Sequence, residues 1–255
     1  MSRVQTCAEP EARGHPLGEA PSALGPRPSA PLESLLDQRS DLWRGRTACR
    51  SLPAGVPTGF PALDAALSWG GWPQGSLSEL LAEIPGVGLG LVLPALARLG
   101  CEGRWLLLVD PPWPPYAPAL AARGMELERL VVVRAEGQGA WAAEQGLRSG
   151  SCAAVLLWGG RWDTAVLRRL QLAAETGGAL AFLFRDPVTA RGPSPAPLRL
   201  QVVPIGAGYR VEVIKQRGGR AGALVSLGTP SDPTFVGRAS ARQQSLRMHQ
   251  PSQSG

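Results

Sequence analysis

Three glycines form the pattern in this chain that most suggests chemistry. Residues 82–91 read AEIPGVGLGL, with glycines at Gly86, Gly88 and Gly90. In a phosphate-binding loop, glycines let backbone N–H groups cradle phosphates, a lysine contacts the β- and γ-phosphates, and a serine or threonine hydroxyl binds magnesium. This segment has neither a lysine nor a hydroxyl side chain. We therefore interpret it as a degenerate, inactive nucleotide-binding loop, and a plain strand-to-helix turn is the favoured explanation of its glycines.

The other groups needed for ATP hydrolysis are missing from their expected places. The apolar strand predicted at 153–158 runs on into Gly159, where an aspartate would be needed to hold magnesium. Asp110 follows the apolar residues 105–109, but prolines come next and no glutamate is present to orient a water, so a turn-forming role is favoured. Loss of one such group typically costs about 3–4 kcal/mol of barrier. The sequence thus predicts a protein that is not an enzyme.

Composition excludes several other classes of chemistry. The chain of 255 residues has two histidines, His15 and His249, so neither a Ser-His-Asp triad nor a histidine-rich metal site is expected. Its four cysteines are widely spaced, which is typical of reduced thiols in a cytosol. We expect neither a metal nor a cofactor. With no apolar run of about 18–20 residues and no signal peptide, a cytoplasmic location is predicted.

A basic cluster near the end of the core is the strongest positive signal. The chain has a formal charge of +6 that comes from arginine, since Lys215 is its only lysine. Lys215, Arg217 and Arg220 leave a predicted strand into a glycine-rich bend, so their side chains are expected to project together. The cluster is interpreted either as a contact for phosphate or an acidic partner or as an exposed hairpin end. Direct contact with DNA is expected to be weak or absent.

Composition along the chain divides it into four parts. Residues 1–31 are rich in proline and predict a disordered tail. Residues 32–51 predict an amphipathic helix and a linker, and residues 52–228 predict the main domain. Residues 229–255 are polar and predict a second disordered tail. The helix could pack on the core, which is favoured, or dock a partner through its apolar side chains, Leu35, Leu36, Leu42 and Trp43.

Strands and helices alternate through the main domain. Apolar strands are predicted at 105–109, 130–134, 153–158 and 179–184, with helices at 116–123, 141–149 and 163–176. Strands that are apolar throughout are covered on both faces, which predicts an α/β fold with a mainly parallel sheet flanked by helices. Three further strands, at 198–203, 209–214 and 223–227, predict a C-terminal β meander.

Several segments resemble a known family. TGFPALDAALSWGGWPQGSLSE at 58–79 is similar to the segment that leads into the P-loop of RecA-type ATPases. With LWRGR at 42–46, PPWPPYAPAL at 111–120, WAAEQGLRSG at 141–150 and VIKQRGG at 213–219, the chain resembles the ImuA family, which is related to RecA and grouped with SulA-like proteins. The resemblance covers about residues 32–228 and implies a RecA-like core with a degenerate P-loop.

The resemblance also implies a function. ImuA proteins act in damage-induced mutagenesis, in the SOS response, beside ImuB, which is a relative of Y-family polymerases, and an error-prone DnaE-type polymerase. A non-catalytic adaptor of translesion synthesis, associated with the nucleoid during DNA damage, is therefore predicted. Lys215 and Arg217 fall where RecA has lysines that reach a neighbour's ATP, so RecA is a further candidate partner. Two alternatives stay open: a SulA-like division inhibitor that binds FtsZ, and a DNA-dependent ATPase completed by a partner.

Overall fold

The computed structural model describes residues 54–188 and 192–228. The predicted tails at 1–31 and 229–255 lie outside the described residues. The predicted helix and linker at 32–51, with the docking candidates Leu35, Leu36, Leu42 and Trp43, lie outside them too.

One sheet of eight strands forms the centre of the described chain. The strands are β1 Leu77–Leu81, β2 Trp105–Val109, β3 Leu130–Val133, β4 Cys152–Trp158, β5 Leu180–Arg185, β6 Leu198–Ile205, β7 Gly208–Gln216 and β8 Leu224–Leu227. Their spatial order is β3-β2-β4-β5-β1-β6-β7-β8. The pairs from β3 through β6 are parallel, whereas β6–β7 and β7–β8 are antiparallel. The predicted mainly parallel sheet with a C-terminal meander is confirmed.

Five α-helices accompany these strands in the described residues, the first before β1 and the others between strands. They are α1 Pro61–Ala66, α2 Leu89–Gly100, α3 Ala117–Ala122, α4 Gly139–Arg148 and α5 Thr164–Gly177, and a 3-10 turn spans Leu127–Arg129. The clearest helix boundaries are those of α5. The Asp163 carboxylate accepts a hydrogen bond from the Val166 backbone N–H at 2.8 Å, and Gly178 ends the helix in the left-handed conformation. Asp163 is thus an N-cap rather than the first helical residue of the predicted segment.

Alternate residues of the strands enter two separate cores. On β4, Leu156 and Trp158 join the core built with α2, while Val155 and Leu157 join the core built with α4 and α5. This period of two explains why the central strands are apolar throughout. The edge strand β3 is the exception, since Val131 and Val132 in its centre are exposed. The expectation that every such strand is covered on both faces was wrong for β3. This strand lies at the edge of the sheet, with a neighbouring strand on one side only, and its faces are less covered.

The segment before β1 owes its sequence pattern to local hydrogen bonds. The Asp64 carboxylate accepts a bond from the Thr58 N–H at 2.8 Å, and the Thr58 hydroxyl accepts one from the Phe60 N–H at 3.0 Å. Trp72 is fully buried and meets the Phe182 ring edge-on, with ring centroids 5.0 Å apart. The TG and LD pairs and the second tryptophan are therefore structural residues that fix the entry into β1.

Helices α4 and α5 approach each other at a glycine. A Cβ atom at Gly177 would overlap the Leu147 carbonyl oxygen. We expect Gly177→Ala to lower the free energy of unfolding by about 1–3 kcal/mol, because the two helices would have to move apart. Urea denaturation measures this. The exposed Leu172→Ala change on α5 is the control, expected within about 0.5 kcal/mol of the parent. Equal values for the two variants would contradict the close approach.

Candidate functional site

The loop between β1 and α2 contains the first two of the predicted glycines. Gly86 and Gly88 have positive φ angles of 86° and 95°, and Gly88 is the N-cap of α2. The backbone N–H groups of Val87 and Leu89 donate to Ile84 and Gly86 at 3.2 and 3.3 Å. These donors are used within the loop, so the geometry is that of a strand-to-helix turn.

Gly90 has a different surrounding. A Cβ atom at this position would overlap the Tyr209 hydroxyl, which reaches α2 from β7. A Cβ at Gly88 would lie 3.5 Å from the Phe184 ring and 3.8 Å from Leu80. Gly90 thus lies next to an aromatic hydroxyl, and Gly88 lies next to apolar side chains.

A cavity of about 630 Å³ lies beside this loop, where β1, β4 and β5 end. Open α/β sheets bind ligands at the carboxyl ends of their strands. The floor includes Trp158 and Phe184, whose rings are stacked with centroids 4.5 Å apart and an interplanar angle of 5°. Ile84, Val87 and Val188 also line the cavity. Most of these lining groups are apolar.

Two carboxylates at the cavity cap neighbouring backbone. Asp110, with φ 50°, accepts a hydrogen bond from the Ala135 N–H at 2.7 Å. Asp186 accepts one from the Val188 N–H at 2.8 Å. Asp110 therefore links the turn after β2 to the loop after β3.

A buried charge cluster is built around Glu79, on the face of β1 opposite Leu80, and shares Arg185 with the cavity lining. Glu79 in β1 is fully buried and forms ion pairs with Arg185 at 3.1 Å and with Arg199 at 2.7 Å. The Ser194 hydroxyl donates to the same carboxylate at 2.6 Å. Lys215 completes the cluster, since its Nζ donates to the Ser194 carbonyl oxygen at 2.8 Å. The cluster thus ties the loop between β5 and β6 to four neighbouring strands.

Lys215 is placed differently from the expectation that it projects with its basic neighbours. It is half-buried and pairs in register with Arg199 across β6 and β7. Burial lowers the pKa of Lys215 below its ordinary value, the Arg199 guanidinium lowers it further, and Glu79 acts in the opposite direction. Its ammonium group is held inside the buried charge cluster, because the side chain at this strand position faces Glu79 rather than solvent.

Arg217 and Arg220 are exposed at the end of β7, as expected. Between Lys215 and Arg217, the side chain of Gln216 accepts hydrogen bonds from the N–H and hydroxyl of Ser68, at 2.9 and 2.8 Å. It also donates to the Arg220 carbonyl oxygen at 2.8 Å. The bend is therefore fixed to the segment that follows α1.

Sequence reasoning missed Glu79, Arg185, Arg199 and Gln216. The sequence did contain a signal for Glu79, because a glutamate inside the apolar strand LSELL must be paired if it is buried. No comparable signal identified its partners, which lie 106 and 120 residues away along the chain.

Other possible chemistry in the described part of the chain is limited. No group of three or more potential metal-ligating side chains occurs within residues 54–188 and 192–228. Cys101 and Cys152 are free thiols, and burial raises the pKa of the Cys152 thiol. No helix in these ranges is both long and apolar enough to cross a membrane.

Comparison with known proteins identifies relatives. No family model matches the chain. The chain is 32% identical over 143 residues to the cell division inhibitor SulA of Edwardsiella piscicida, covering 55% of this chain and 76% of that protein. It is 31% identical over 117 residues to the cell division inhibitor SulA of Photorhabdus laumondii subsp. laumondii, covering 45% of this chain and 66% of that protein.

Two solved structures are also similar. The RadB recombinase aligns with a TM-score of 0.53 and 14% identity, covering 67% of this chain and 94% of its own, which shows the fold alone. SulA from Pseudomonas aeruginosa is 29% identical, covers 43% of this chain and 96% of its own, and has a TM-score of 0.37. The SulA-like and RecA-like resemblance is confirmed, and the narrower ImuA assignment stays a prediction.

The buried charge cluster can be tested by neutralising its carboxylate. We expect Glu79→Gln to lower the free energy of unfolding by about 3–5 kcal/mol, because Arg185 and Arg199 lose their buried counter-charge. Chemical denaturation measures the loss, and limited proteolysis reports release of the loop before β6. Glu83→Gln, at an exposed position near the end of β1, is the matched control. Parent-like stability of Glu79→Gln would contradict the role of the cluster.

Proposed function

Because the chain belongs to the SulA-like family of proteins with a RecA-like fold, we propose that it is a non-catalytic accessory protein of the response to DNA damage. It acts by binding other proteins. Its RecA-like core serves as a binding scaffold and carries out no phosphoryl transfer.

The position of the only lysine carries this proposal. A phosphate-binding loop needs a lysine beside its glycines, but Lys215 donates to Ser194 within the buried charge cluster. That cluster is built on the Glu79 face of β1, whereas Gly88 packs toward Leu80, on the opposite face. Lys215 therefore cannot replace the missing loop lysine without leaving its site.

We propose further that the partners are an ImuB-type relative of Y-family polymerases and an error-prone DnaE-type polymerase, with RecA as a third candidate. The sequence segments that resemble ImuA support this assignment, as does a chain that extends beyond the SulA match. Lys215 is engaged in the buried charge cluster, so a contact with RecA would rest mainly on the exposed Arg217 and Arg220.

A second candidate function is inhibition of cell division through FtsZ. The 32% identity to the cell division inhibitor SulA favours it. The two candidates share the scaffold and differ in the protein that is bound, so identification of the partner decides between them.

Absence of nucleotide chemistry is the first testable consequence. We expect isothermal titration calorimetry with ATP and magnesium to give no binding heat, because the loop has no lysine or hydroxyl and the N–H groups of Val87 and Leu89 are used within it. Phosphate release should stay at background with the chain alone. It should also stay there when single-stranded DNA and the candidate partners are added. Turnover in any of these mixtures that depends on this chain would contradict the proposal.

Partner capture is the second test. We expect the tagged full-length chain, recovered from cells after DNA damage, to retain the ImuB-type and DnaE-type proteins, and its overexpression to leave cell length unchanged. An Arg217→Ala/Arg220→Ala variant should recover less RecA if RecA binds this bend. Arg123→Ala, an exposed arginine at the end of α3, is the matched control. Retention of FtsZ with filamentous cells, and without the polymerase proteins, would replace the adaptor assignment by the second candidate.

A further inference from the structure

We propose that the cavity beside the degenerate loop binds a segment of a partner protein, which inserts an apolar side chain and presents backbone carbonyl oxygens. The inference rests on the proposed function and names the site and the chemistry of the partner. A protein segment would thus occupy the place where a nucleotide binds in related folds with an intact loop.

Unpaired hydrogen-bond donors are the first observation. Within the described residues, the buried side-chain nitrogen or oxygen atoms without a partner are Nε1 of Trp72, Trp158 and Trp162 and Nε of Arg185. All four are N–H donors. Trp158 and Arg185 line the cavity and are 5% and 9% exposed. Buried donors without partners are rare in folded proteins, so these two donors at the cavity mark a place where an acceptor can be supplied by a ligand.

Two of the three carboxylates at the same cavity already accept hydrogen bonds. The Asp110 carboxylate accepts the Ala135 N–H of the loop after β3, and the Asp186 carboxylate accepts the Val188 N–H of its own loop. A ligand that satisfies the Trp158 N–H brings an oxygen acceptor of its own. Backbone carbonyls of a peptide supply such acceptors at regular spacing.

Exposed apolar side chains surround the cavity. Ile84 and Val188 line it and are 57% and 67% exposed. Trp113, 70% exposed, lies beside the loop, with an indole carbon 3.7 Å from the position of a Cβ at Gly86. Apolar side chains grouped around a concavity mark a binding surface. Together with the stacked Trp158 and Phe184 they form a site for an apolar anchor.

The charges favour a peptide over a nucleotide. The lining carries three carboxylates, of Glu83, Asp110 and Asp186, and two guanidinium groups, of Arg161 and Arg185. Arg185 is already paired with Glu79. A triphosphate would meet more negative than positive charge here, whereas an uncharged segment would meet no such repulsion.

The probe is a phage-displayed library of random linear peptides, selected on the full-length protein. We expect enriched peptides to share a leucine-like or aromatic residue at one position, and Ile84→Asp and Val188→Asp each to weaken their binding at least tenfold. Leu224→Asp, at an apolar position in β8 that is 67% exposed and does not line the cavity, should bind as the parent does. Circular dichroism confirms that all three variants are folded.

A second variant tests the donor. Trp158→Phe keeps a ring against Phe184 and removes the N–H, so peptide affinity should fall about three- to tenfold. Absence of enrichment, equal binding by the aspartate variants and the parent, or displacement of the peptides by ATP with magnesium would overturn the inference. Capture of partners that survives Ile84→Asp and Val188→Asp would reject this site and leave the proposed function standing.

Discussion

A buried carboxylate at the centre of the sheet holds its two halves in register. Glu79 has lost its contact with water, and its charge is balanced by Arg185 on β5 and Arg199 on β6. Burial of an ion is costly unless it is paired and hydrogen-bonded. The same carboxylate accepts the Ser194 hydroxyl, so the loop between β5 and β6 is fixed by the interaction that joins the strands. The two ion pairs thus join β1 to both of the strands with which it pairs in parallel.

Much of the fold could be predicted from local pattern. β2 was predicted at its observed residues, because its apolar run ends at a turn. The predicted bounds of α5 differ from the observed bounds by one residue at each end, because Asp163 and Gly178 mark the ends of the helix. The site was less predictable. The position of Lys215 depends on Ser194 and Glu79, which are distant in sequence, and the pattern of β7 gave no indication that this lysine would face a buried carboxylate.

The loop after β1 combines a glycine-rich bend with apolar surroundings. Glycines allow a sharp turn with positive φ angles at Gly86 and Gly88, whether or not phosphate is bound. The groups around this turn are the stacked Trp158 and Phe184 and the exposed Ile84 and Trp113. The same backbone bend that would suit an anion is thus placed beside surfaces that suit apolar side chains.

The contact of Tyr209 with Gly90 limits how this protein can change through evolution. The phenol hydroxyl occupies the space that a side chain at position 90 would need at the start of α2. A larger residue at position 90 would require the Tyr209 side chain to move, and a smaller residue at 209 would leave a void against the helix. A side chain at position 90 is therefore coupled to the residue at position 209, which lies in a distant part of the gene.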